Sequence, residues 1–411
     1  RYWDRVNRAE QLPSALLEAM RVLTSPADTG AVTLALPQDV QAEAFDFPDA
    51  MFDKRVWTIP RNRPDAAALA DAASAVRSAT RPLIVAGGGV HYSEATAALA
   101  AFAASTGIPV AETQAGKGSL RFDHPQHVGA IGATGTSAAN RIARDADLVI
   151  VVGSRLSDFT TGSKTAFAAE NVRFVALNVT ELDAFKHGAL PLVGDARVAL
   201  EELGAAIGSW QVAASYATEI GSLKVAWEQE TDRIYNLNHG PVISQGEVIG
   251  ILNDFSADDS VVVCAAGSLP GDLHKLWRTR APGGYHLEYG YSCMGYEIAG
   301  GLGVKMARPE RDVYVMVGDG AYLMMAQEIV TAVQERVALT ILLLDNHGFS
   351  SIGGLSASVG CDGFGTRYTV DVDFVANAAS MGAHAVRATT RAEIRSELEK
   401  ARGRAGVNVI V

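Results

Sequence analysis

Apolar runs of strand length, each closed by glycine or a polar cluster and followed by a helical period, recur along most of this chain. From residue 81, Pro82-Leu83-Ile84-Val85-Ala86 runs into Gly87-Gly88-Gly89 and then into a helix over 95–106. Residues 146–153 (ADLVIVVG) and 172–178 predict two more strands. Near Pro241 a second block of the same kind opens, with strands predicted over 260–264, 312–317, 338–344 and 407–411. Strands that are apolar on both faces and alternate with helices imply parallel sheets covered by helices on both sides.

Ahead of these blocks, residues 11–23 (QLPSALLEAMRVL) predict an amphipathic helix with Leu16, Met20 and Leu23 on its apolar stripe. Residues 31–36 predict a buried strand ended by Pro37. One helix and one strand cannot bury a core, so residues 1–40 are expected to be the tail of a domain whose front precedes Arg1. Residues 41–61, punctuated by Pro48 and Pro60, and the polar, partly helical residues 206–240 predict linkers. The expected organisation is therefore α/β in three domains: an incomplete N-terminal one (1–40), a Rossmann-like central one (62–205) and a third (241–411). The last predicted strand runs to Val411, which suggests a trimmed C-terminus as well.

Composition narrows the partners. With 411 residues, 48% of them apolar and 20% charged, the chain has the balance of a soluble protein with more than one core. A formal charge of −11 and a pI near 5.3 argue against nucleic acid, whose phosphate backbone demands a basic face. No apolar run approaches the roughly 18 residues of a membrane span. Three scattered cysteines, Cys264, Cys293 and Cys361, form no disulfide framework and no metal-ligand spacing, which favours a reducing cytoplasm.

The chemistry concentrates in residues 313–353, where Gly318-Asp319-Gly320 closes one strand and Asp345-Asn346-His347-Gly348-Phe349 closes the next. In a parallel sheet both clusters lie at the carboxyl edge, where open α/β folds bind ligands. Asp319 and Asn346 offer hard oxygens, and the Gly348 carbonyl offers a third, a set that suits octahedral magnesium completed by phosphate and water. Gly318 and Gly320 let the backbone approach closely, and a helix beginning at Ala321 would aim its free N–H groups at a phosphate. Alone, Gly-Asp-Gly is only a strand-to-helix turn. The second cluster after its own strand turns the pair into a metal–diphosphate site.

The same residues resemble the signature of thiamine-diphosphate enzymes, in which Gly-Asp-Gly is followed by an Asn pair whose second member is the metal ligand; here the pair is Asp345-Asn346. Residues 1–40 look like the end of that family's pyrimidine-binding domain. The motifs RPLIVAGGGV, TGIPVAETQAGKGSL and ADLVIVVGSRLSD look like the central domain of its acetolactate-synthase group, and 241–411 like the diphosphate-binding domain. Within that group, EYGYSCMGYEIAGGLG (288–303) and LLDNHGFSSIGGLS (343–356) are most similar to the branch that hydrolyses cyclic polyhydroxylated 1,2-diketones of inositol breakdown.

The resemblance implies thiamine diphosphate and Mg2+ as cofactors, with Asp319, Asn346 and the Gly348 carbonyl on the metal. It implies that Met294 supports the bent cofactor, that the Ser292 carbonyl accepts from the pyrimidine amine, and that Gly267 and Ser268 hold the diphosphate. Gly318, Gly320, Ala321 and Phe349 complete the cofactor-binding set, and His274 and His347 are the candidate catalytic residues beside the substrate. FAD, which the central domain can hold in acetolactate synthases, is not expected, since Gly87-Gly88-Gly89 is not a dinucleotide fingerprint.

The family's proton-relay Glu would precede Arg1, so no residue is assigned to it, and residues 1–411 alone are expected to be inactive. A homodimer or homotetramer is expected, because the family completes each site with a second subunit. The rival readings are an acetolactate-synthase-like carboligase or decarboxylase and a non-catalytic nucleotide-binding protein. The last has no use for a two-strand magnesium site.

Overall fold

The computed structural model describes residues 1–411, folded as two six-stranded parallel sheets covered by helices and one small two-stranded sheet. In the small sheet, β1 (Tyr2–Arg5) pairs parallel with β2 (Val32–Ala35). β1 escapes sequence detection because Tyr-Trp-Asp-Arg shows no apolar run. The helix Leu12–Leu23 forms, but it buries Ala15, Ala19 and Val22, whereas Leu16 and Leu23 are exposed. The stripe expected inward thus points outward. β2 is only half-buried, because two strands cannot cover both of its faces.

The central sheet has the order β5-β4-β3-β6-β7-β8. Its members are β3 (Pro82–Ala86), β4 (Val110–Glu112), β5 (His127–Ala130), β6 (Leu148–Val152), β7 (Arg173–Asn178) and β8 (Leu190–Val193). Every residue of β3 and β6 is buried, as expected for the centre of a sheet with helices on both faces. β4, β5 and β8 are not legible as strands in the sequence; they are three or four residues long. Gly87 and Gly89 follow β3 and lie against Gly153 after β6 so closely that a Cβ at either would collide with its backbone. Close packing at this junction explains the glycines.

The second sheet has the order β10-β9-β11-β12-β14-β13, all parallel. Its strands are β9 (Val261–Cys264), β10 (Tyr285–Leu287), β11 (Val313–Gly318), β12 (Leu339–Leu344), β13 (His384–Val386) and β14 (Val407–Ile410). The chain steps from β9 outward to β10 and then returns to the other side of β9 with β11. The strand order therefore reverses between β9 and β11, and their carboxyl ends form the crevice where such sheets bind ligands.

Residues 206–240 hold more than a linker: a 22-residue helix, Ala214–Tyr235, straps the two sheets together. At one end the Tyr216 hydroxyl donates to the Pro82 carbonyl, and at the other the Tyr235 hydroxyl donates to the Leu276 carbonyl.

Candidate active site at the carboxyl edge of the second sheet

β11 and β12 are adjacent, with Gly318 paired to Leu344, so the residues that follow them emerge side by side. They meet the loop after β9 in a cleft of about 240 Å³ lined by Gly267, Ser268, Ser292, Met294, Gly318, Asp319, Gly320, Ala321, Asn346, Gly348 and Phe349. The structure thus brings together all the predicted cofactor and metal residues.

Asp319 is fully buried. One carboxylate oxygen accepts the Gly348 N–H at 2.8 Å and the other the Gly320 N–H at 2.9 Å. Burial pushes its pKa up; the Gly348 and Gly320 N–H groups oppose that rise, and neighbouring Asp345 adds to it. A buried carboxylate whose neighbours leave it short of positive charge is suited to a cation. Beside it, the buried Asn346 Oδ1 has no hydrogen-bond partner in the chain. Leaving such an acceptor unmet costs about 1–3 kcal/mol, so it calls for a ligand. The Gly348 carbonyl is likewise not taken by any backbone N–H. No group of three or more His, Cys, Asp or Glu side chains is placed to hold a metal ion.

The helix after β11 runs Asp319–Met325, two residues earlier than predicted, so Asp319 itself stands in its first turn. Gly320 leaves room for the Phe349 ring, whose nearest atom would lie 2.7 Å from an added Cβ. Gly348 has φ +140 and lies against the Thr366–Arg367 backbone, a place no side chain could share. On the opposite wall Ser292 has φ +53, and Gly267 (φ +90) has open space where a Cβ would point. Close approach of a ligand to the Gly267 backbone is therefore unobstructed.

The two histidines fare differently. His274 is not on the cleft: it is buried where the two large sheets' units meet, with Nδ1 2.9 Å from the Thr134 hydroxyl and Nε2 3.0 Å from the Glu112 carbonyl. Burial drives its pKa down to about 3, so it is a neutral structural residue. Its sequence neighbourhood, Gly-Asp-Leu-His, could not show that the helix face carrying it packs on another sheet. The His347 side chain is exposed, 3.6 Å from Asp345, at a residue with φ +62. It does not line the cleft, although its chain neighbours Asn346 and Gly348 do.

Sequence reasoning missed Gln245, which lines the cleft, donates to Asp272 at 2.6 Å and lies 3.4 Å from the Ser268 hydroxyl. It belongs to the helix Gln245–Phe255, whose Ser244–Glu247 capping box is legible, but nothing in sequence says where that helix start lands.

Comparison with known proteins agrees with this geometry. Residues 69–203 match the family described as thiamine pyrophosphate enzyme, central domain, and residues 265–411 the one described as thiamine pyrophosphate enzyme, C-terminal TPP binding domain. The chain is 44% identical over 435 residues to the 3D-(3,5/4)-trihydroxycyclohexane-1,2-dione hydrolases of Bacillus thuringiensis (strain Al Hakam) and Bacillus cereus (strain 03BB102), covering 97% of this chain and 68% of each relative. The enzyme of the same name from Bacillus anthracis is also 44% identical over 435 residues, with 97% of this chain and 68% of that protein covered.

Proposed function

The chain belongs to the thiamine-pyrophosphate enzymes, in the family of the trihydroxycyclohexane-1,2-dione hydrolases, and we propose that it uses thiamine diphosphate and Mg2+ to open the ring of 3D-(3,5/4)-trihydroxycyclohexane-1,2-dione. The observation that carries the reading is the unpartnered, buried Asn346 Oδ1 beside the buried Asp319 carboxylate, at the crevice where strand order reverses.

In this reading Asp319, Asn346 and the Gly348 carbonyl hold the metal. Gly267, Ser268, Gln245 and Ala321 would face the diphosphate, the Gly320 N–H being taken by the Asp319 carboxylate. The Ser292 carbonyl and the Met294 side chain would support the rings, while Phe349 closes the cleft over Gly320. When bound, thiamine diphosphate supplies a carbanion and an electron sink for the C–C bond that breaks. His347, whose side chain is exposed outside the cleft although its chain neighbours line it, would have to turn inward to serve in proton transfer with the substrate.

The overall change consumes one water. The bond between the two adjacent carbonyl carbons breaks, one carbon leaves as a carboxylate and the other as an aldehyde, which gives 5-deoxyglucuronate without an external oxidant. No helix of the chain is long and apolar enough to cross a membrane, and the three cysteines are free, which suits a reducing cytoplasm.

The test is an assay of the full-length protein with thiamine diphosphate and magnesium, offering the cyclic dione and pyruvate side by side. Ring opening to an acid-aldehyde, followed by mass spectrometry, is the expected result. Turnover of pyruvate alone would instead make the protein a carboligase or decarboxylase.

A further inference from the structure

Glu297 is a buried carboxylate that the metal set and the cleft lining leave unused. It stands in the first turn of the helix Tyr296–Ala307 and is 1% exposed, with no cationic side chain paired to it. One of its oxygens accepts the Gly295 N–H at 2.9 Å, and the other accepts the Ala266 N–H at 3.2 Å. Gly295 directly follows Met294, and Ala266 itself lines the cleft just ahead of Gly267 and Ser268. One carboxylate therefore ties two walls of the cleft together, across a separation of 31 residues in sequence.

The arrangement is costly for a cap. Burial pushes the Glu297 pKa up, opposed only by backbone N–H groups, its own and those of Ala266 and Gly295. A helix start is satisfied by a short, half-exposed Ser, Thr or Asp at its N-cap, with no need to bury a charge. Here the N-cap is Gly295 at φ +92, packed against Met324 and Met325 of the helix that carries Asp319. The bond to Ala266 does nothing for the helix end; it fixes the loop that leaves β9.

Resting on the cofactor reading above, we propose that Glu297 is a positioning residue: its carboxylate couples the diphosphate-facing loop at Ala266–Ser268 to the ring-supporting segment at Met294–Gly295, so that both halves of the cleft are preformed together. A glutamine at this position keeps one acceptor but turns an N–H donor toward the second amide, which opens the strap on one side.

The experiment is calorimetric titration of the full-length protein with thiamine diphosphate in excess magnesium, for wild type, Glu297→Gln, Met294→Ala and the double variant. Binding by wild type and its loss in Asp319→Ala establish the cofactor reading independently of Glu297; if wild type does not bind, that reading fails first. Given binding, Glu297→Gln is expected to weaken affinity about ten- to a hundredfold, the range seen when a residue orienting a ligand set is removed. The double variant should lose clearly less than the product of the two single losses, because Met294 is already uncoupled. Unchanged affinity in Glu297→Gln overturns the proposal, and so do losses that multiply in the double variant. Should Glu297→Gln fail to fold, Glu297→Asp keeps the charge on a stem too short to reach both amides, and the same outcomes apply.

Discussion

His274 is neutral at physiological pH because burial between the two large units lowers its pKa to about 3, and its two nitrogens are matched to the Thr134 hydroxyl and the Glu112 carbonyl. An unfolded histidine titrates near 6.5. Below that pH the unfolded chain takes up a proton that the folded chain refuses, so stability falls as the pH drops from 6.5 toward 3. The contribution is on the order of a few kcal/mol at the acid end. Glu112 acts in a lower window: burial opposes its ionisation, yet the adjacent His127 and Lys117 hold its pKa down to about 2. Thermal denaturation of wild type and His274→Gln between pH 6.5 and 4 separates the two groups. Glutamine can keep both hydrogen bonds without titrating, so the wild type should lose more stability over this range. Parallel curves would mean that His274 is not the acid-sensitive group.

At the scale of elements, the site was legible wherever a polar cluster directly follows a strong apolar strand. Asp319 and Asn346 came from that pattern because β11 and β12 are six-residue strands, buried along most of their length, that pair directly. β10 and β13 stayed hidden, since three-residue edge strands carry too little period to read. Glu297 was invisible as a strap for a different reason: its partner Ala266 arrives through the packing of the helix Tyr296–Ala307 on the sheet. Gly301 makes that packing possible, because a Cβ there would collide with Val315 on β11. The first helix shows the converse failure. Its larger side chains Leu16 and Leu23 suggested an inward stripe, but the small sheet meets the alanine face, where the backbone can come closer.

For the whole molecule, the rim of the cleft is unusually apolar. Leu323 and Met324 on the helix Asp319–Met325 are about half exposed, and the helix Ser350–Ser358 buries no residue and leaves Ile352 and Leu355 in solvent. Phe364 beyond it is fully exposed. Exposed apolar side chains beside a binding cleft are candidates for an interaction face, and the homodimer or homotetramer expected from the family resemblance would put a second copy of the chain there. Light scattering of the full-length protein is expected to report such an assembly, and an active monomer would contradict it.

The central claim is that the carboxyl edge of the second sheet is a magnesium–diphosphate site built on Asp319 and Asn346. Removing the one carboxylate that would face both the metal and, through it, a diphosphate should cost several kcal/mol of binding. The most direct measurement is titration of thiamine diphosphate into wild type and Asp319→Ala, each with and without magnesium. The account predicts magnesium-dependent binding by wild type and none by the variant, with the two proteins melting within a few degrees of each other. Equal affinity in the two proteins, or wild-type binding indifferent to magnesium, would contradict it.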